Sequence, residues 1–76
     1  MEDKVIEIIE RISGVKDLKQ NKDIDLVSSG ILDSLGFIEL VYALDEEFDI
    51  EIYPTQVAPE VWKSIEKIVE LVKSLI

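Results

Sequence analysis

Asp33-Ser34-Leu35-Gly36 is the stretch of this chain whose residue types invite covalent chemistry. It stands at the head of a strong helical pattern, so the Ser34 hydroxyl falls at a predicted helix N-terminus. The first N–H groups of a helix lack intrahelical acceptors, and the dipole there is positive. A phosphodiester on that hydroxyl would meet both. The plainer reading is a helix cap, because Asp and Ser side chains accept from those same N–H groups. Neither candidate cap has Glu or Gln three positions on, where Gly36 and Phe37 stand, so the capping box is missing. Gly36 inside a helix costs up to about 1 kcal/mol relative to alanine. It also leaves the surface beside Ser34 open, which suits the passage of something bulky. Gly30, just upstream, lets the chain turn sharply into the helix.

Other chemistries lack their residues. The chain has no cysteine, so no thiolate and no disulfide frame. It has no histidine, which removes the usual general base and the commonest metal ligand. Asp23-x-Asp25 lacks the glycine and the terminal glutamate of a calcium-binding loop. With no glycine-rich phosphate loop and a core too thin for a deep pocket, no active-site constellation can be assembled.

Charge singles out the same region. Residues 1–22 balance five acids with five bases, and residues 63–76 carry three lysines against two glutamates. Between them, residues 23–62 hold ten acids and no base, the source of the net charge of −9. Such a field repels nucleic acid and anionic lipid and draws in basic partners. The longest apolar run, Leu40 to Leu44, is far too short to cross a bilayer. The N-terminus does not read as a signal peptide, so a cytoplasmic protein is expected.

The elements that must position Ser34 follow from periodicity. At 76 residues the chain reads as one domain, residues 1–76. Val5, Ile8, Ile9 and Ile12 mark a first helix that should stop near Ser13-Gly14. A long polar connection runs from Val15 to about Asp33, with Leu18, Ile24, Leu26, Val27, Ile31 and Leu32 pinning it over the core. A second helix spans about Ser34 to Phe48. Its apolar positions include Leu35, Ile38, Val41, Tyr42 and Leu44, and its acidic end is Asp45-Glu46-Glu47. Pro54 ends what precedes it, Thr55 to about Glu60 reads as one short helical turn, and a last helix starts near Val61 or Ser64. The expected fold is all-α: a small antiparallel four-helix bundle of three main helices plus one short helix. The long loop lies between helices 1 and 2.

The segment Asp25-Leu26-Val27-Ser28-Ser29-Gly30-Ile31-Leu32-Asp33-Ser34-Leu35-Gly36 resembles the attachment motif of acyl and peptidyl carrier proteins. Ile38-Glu39-Leu40-Val41 and Leu44-Asp45-Glu46-Glu47-Phe48-Asp49-Ile50 are similar to their second helix. The resemblance implies that Ser34 carries 4′-phosphopantetheine, installed from coenzyme A by a phosphopantetheinyl transferase. It implies a thioester on the arm's thiol, which explains a chain without sulfur nucleophiles of its own. Asp33 is then the neighbour that helps hold magnesium and coenzyme A during loading. Leu35, Ile38, Glu39, Tyr42, Asp45 and Glu46 become the docking residues for partner enzymes. For the apolar ones, Ile38 above all, ordinary core packing is the competing reading, and a solvated face competes for the acids.

Gly36 and Trp62 resemble the branch of the family that carries D-alanine for teichoic acid modification. Leu35 departs from that branch's usual methionine, and Ser64-Ile65-Glu66 from its usual Thr-Pro-Asn. The implied partners are a D-alanine- or acyl-activating ligase and a downstream acyltransferase, with a monomer as the default state and no insertion into a membrane. A general acyl carrier of fatty acid, polyketide or peptide synthesis is the alternative cargo reading. An unmodified acidic helical adaptor is the alternative of another class.

Overall fold

Val5, Ile6, Ile8 and Ile9 are essentially inaccessible to solvent and form the stripe around which everything else packs. Each such aliphatic side chain, taken fully out of water, contributes about 1.5–3 kcal/mol. The computed structural model describes residues 1–76 and is all-helical. Helix α1 spans Glu2–Ser13, α2 Ser34–Phe48 and α3 Ile65–Leu75. Both α2 and α3 pack on α1. The core they enclose contains Leu40, Val41 and Leu44 from α2, and Ile65, Ile68, Val69 and Val72 from α3. The radius of gyration is 11.1 Å, matching the ~11 Å of a close-packed chain of this length.

Helix ends follow their local chemistry. Gly14 stops α1 in the left-handed conformation, φ 75°, and its N–H donates to Glu10 O. Ser64 caps α3 by accepting from Lys67 N–H at 3.3 Å. Asp49 ends α2 in a left-handed conformation, which Asp tolerates better than most side chains.

The connection between α1 and α2 is a sequence of short ordered turns. Leu18–Gln20 makes a 3₁₀ turn, docked on α1 where Leu18 N–H donates to Glu10 Oε2 at 3.0 Å. Asp25 Oδ1 accepts from Val27 and Ser28 N–H, both at 2.9 Å. Leu26 N–H then donates to Lys63 O and Leu32 N–H to Leu26 O, which ties the loop to the far segment and closes it on itself. Leu18, Leu26 and Leu32 are buried as expected, whereas Val27 is 46% exposed and pins nothing.

The expected single short helix resolves into two 3₁₀ turns, Pro54–Gln56 and Pro59–Lys63. Each proline opens its turn at the first position, where a missing N–H is harmless. Extended backbone at Val57, Ala58 and Ser64 breaks the segment before an α-helical register can propagate. Helix α3 consequently begins at Ile65, just past the later of the two expected starts.

Candidate functional site

Ser34 is the first residue of α2, and its side chain is exposed. Asp33 precedes it in extended backbone and caps the helix, its Oδ1 accepting from Gly36 N–H at 2.7 Å. The cap reading is therefore correct for Asp33, and it leaves Ser34 free for another task. The N–H groups of Ser34 and Leu35 are not engaged by protein acceptors. An anion on the Ser34 hydroxyl would face them and the positive helix end, an arrangement worth about 0.3–1 kcal/mol at an exposed site. A phosphate ester fits.

Gly36 has a different purpose from the one its sequence position suggested. It is buried, and a Cβ there would lie 3.1 Å from Asp33 Oδ1 and within 4 Å of Leu32 and of Ile12 on α1. The missing side chain gives room to the cap and to the α1 contact, not to a passing ligand.

Upstream, Gly30 takes φ 83° and turns the chain into α2, as anticipated. The Asp25 carboxyl that shapes this turn is held below the usual carboxylate range. Ser28 N–H is the main cause; the water displaced by neighbouring atoms opposes it and Val27 N–H reinforces it.

A groove of about 240 Å³ starts at Ser34. Val27, Leu32 and Asp33 line it from the loop, Phe37 from α2, and Pro59 and Trp62 from the last 3₁₀ turn. Trp62 packs edge-on against Phe37, with ring centroids 5.0 Å apart. A second open cleft, about 270 Å³, lies further along α2 between Ile38, Tyr42, Ile52 and Pro54.

The predicted docking residues divide in two. Leu35, Ile38 and Tyr42 are 66%, 49% and 70% exposed, so core packing is excluded for all three. Their spacing places them in one line along α2, with Glu39 and Glu46 beside it and both exposed. Asp45 is half-buried and has an internal role. Its Oδ1 accepts from Ile52 N–H at 3.0 Å, and its carbonyl oxygen accepts from Asp49 and Ile50 N–H. The three ion pairs, Lys4–Glu7, Lys19–Asp3 and Lys22–Glu2, all lie within residues 2–22. No acid of residues 23–62 takes part in an ion pair.

Phe37, Pro59 and Trp62 were not singled out for the site by sequence. Trp62 is a buried packing residue, and its place beside Ser34 depends on the loop carrying residue 63 to residue 26. No helix is long and apolar enough to cross a membrane, and no cluster of potential metal ligands is present.

Known proteins supply the comparison. A family described as the phosphopantetheine attachment site matches residues 3–72. A D-alanyl carrier protein of Streptococcus uberis is 39% identical over 75 residues, covering 99% of this chain and 94% of the relative. Those of Lactococcus lactis subsp. cremoris and Streptococcus sanguinis are 38% and 39% identical, covering 90% and 93% of this chain and 86% and 89% of the relatives.

Proposed function

This chain belongs to the phosphopantetheine-attachment family, and from that premise we propose that Ser34 is the attachment residue and D-alanine the cargo. The protein is a carrier, acted on by other enzymes rather than catalytic itself. The observation that carries the Ser34 assignment is its position: an exposed hydroxyl on the first residue of α2, beside N–H groups that nothing in the protein engages. In loading, Ser34 Oγ forms a bond to the phosphorus of the pantetheine phosphate of coenzyme A. The hydroxyl proton passes to a base of the transferase, and adenosine 3′,5′-bisphosphate leaves. Once attached, the arm supplies the terminal thiol that a chain without cysteine lacks, and an acyl or aminoacyl group rides there as a thioester.

D-alanine as cargo is supported by the relatives, which align with nearly the whole chain under that name. The surface concavities, about 170–320 Å³, are open clefts that offer a long acyl chain no enclosed seat, whereas a single amino acid needs none. Transfer of D-alanine toward teichoic acid then requires a D-alanine-activating ligase before the carrier and an acyltransferase after it. We read the carrier as cytoplasmic, where a coenzyme A-dependent transferase would meet it, and as a monomer able to visit each enzyme. Leu35, Ile38 and Tyr42 give these partners an apolar line, and Glu39 and Glu46 give them charge.

The test is loading followed by intact mass. Wild-type protein incubated with coenzyme A and a broad-range phosphopantetheinyl transferase gains one phosphopantetheine, and Ser34→Ala gains none. Equal gain by the variant, or no gain by wild type, refutes the assignment. Charging of the loaded carrier by a D-alanine ligase, set against acyl synthetases, decides the cargo; loading with fatty acyl groups alone rejects D-alanine.

A further inference from the structure

Trp62 is 6% exposed, and its indole N–H is buried with no acceptor, the one buried side-chain polar atom left unpaired. An unmet buried donor costs on the order of 1–3 kcal/mol, and native cores keep few of them. The same residue lines the groove that begins at Ser34. Val27, Leu32, Phe37 and Pro59 make most of the remaining wall apolar, and Asp33 and Ser34 are its polar members. A largely apolar trough with one unspent donor matches a ligand that is mostly hydrocarbon with spaced carbonyls. The pantetheine arm is such a molecule, with a dimethyl-bearing carbon near the phosphate and amide carbonyls beyond it.

We infer that this groove is the resting seat of the arm's Ser34-proximal half, and that Trp62 Nε1–H donates to one of its amide carbonyls. The inference rests on attachment at Ser34. Tethering makes the encounter intramolecular, with an effective concentration in the millimolar range, so even a shallow seat is populated. The N–H is closed to solvent in the free protein, so the carbonyl reaches it only when the side chains around it give way. The volume limits what is held. At about 240 Å³ the groove falls below the roughly 300–1,000 Å³ of pockets that enclose a whole small molecule. It seats part of the arm and leaves the thiol and its cargo outside, where partner enzymes reach them.

Indole ¹⁵N-labelled protein tests this in its apo and loaded forms, with intact mass measured on the same samples. Loading without a seat is thus distinguished from failure to load. In fully loaded protein the Trp62 indole N–H resonance shifts downfield, and the arm's methyl protons show NOEs to the Phe37 and Trp62 rings. Ser34→Ala carried through the same incubation shows neither. An unchanged indole resonance in fully loaded protein overturns the inference, and so does a shift without the NOEs. Trp62→Phe keeps an aromatic wall and removes the donor; loaded to the same mass, it should show weakened methyl NOEs to Phe37. Undiminished NOEs there refute the donor's role, and if the variant fails to fold, the wild-type spectra still decide.

Discussion

Asp33 offers both a helix cap and a charge beside Ser34, and two substitutions separate the two. Asp33→Ala removes the acceptor for Gly36 N–H and should cost about 1 kcal/mol of stability, within the 0.5–2 kcal/mol typical of lost caps. Asn caps as well as Asp, so Asp33→Asn should melt with wild type. If the carboxylate helps to orient magnesium-bound coenzyme A, Asp33→Asn should still load several-fold more slowly in a transferase assay; unchanged loading leaves Asp33 with the cap alone. Gly36→Ala tests the corrected account of that glycine. Its methyl group crowds Asp33 Oδ1, while the helix regains up to about 1 kcal/mol of propensity. The two oppose each other, so the melting temperature should move by a few degrees at most and loading should keep its rate. Slower loading at unchanged stability would restore the idea of a passage for bulk. The serine and its cap were legible because they depend on residues within a few positions. The reason for Gly36 was not, because it depends on Ile12, which only folding brings near.

Helix α2 shows why an apolar residue at helical spacing does not by itself announce a core. Leu40, Val41 and Leu44 are buried in the core, and Leu35, Ile38 and Tyr42 stand in solvent, so two stripes share one helix. Periodicity found the helix to the residue but could not tell the stripes apart, since both satisfy the same spacing. Its acids are equally divided. Asp45→Ala should destabilise the protein by about 1–2 kcal/mol through the lost bond from Ile52 N–H. Glu46→Lys should leave the melting curve in place and lower the affinity of a basic partner, read by titration calorimetry. If Asp45→Ala proves neutral to stability, the internal role given to its carboxylate is wrong. In the preceding loop, Asp25 makes the turn sensitive to acid. Its folded pKa lies below the unfolded one, so its contribution is complete above the ordinary value, about 4, and is lost as pH falls through the lowered value. On acidification the protection factors of the Val27 and Ser28 amides, taken against the intrinsic exchange rate at each pH, should fall first. Asp25→Asn, which keeps an acceptor without the charge, should remove that dependence. The loop's polar composition revealed its length, and the hydrogen bond from Leu26 to Lys63 that gives it shape joins residues 37 positions apart, beyond the reach of local pattern.

Across the whole molecule, charge is sorted rather than mixed. The block of ten acids in residues 23–62 was visible in the sequence; that the ion pairs would gather outside it, around the start of α1, was not. The sorting gives salt two opposite effects on stability. Exposed pairs such as Lys19–Asp3 and Lys22–Glu2 are worth about 0.2–1 kcal/mol each and weaken with screening. Repulsion among the unpaired acids weakens as well, because the Debye length shrinks from roughly 30 Å at 0.01 M to about 10 Å at 0.1 M. Like charges crowded into a molecule 26 Å in its longest extent all lie within the first distance of one another. The relief of repulsion should therefore exceed the loss of the pairs. Adding salt is expected to raise the melting temperature while amide exchange at the α1 N-terminus grows faster. Over the same range the association rate with a basic partner should fall by roughly 10-fold or more, as for other electrostatically steered encounters. A melting temperature that declines with salt would mean that the ion pairs outweigh the acidic block, and the block could no longer be described as a standing cost retained for recognition.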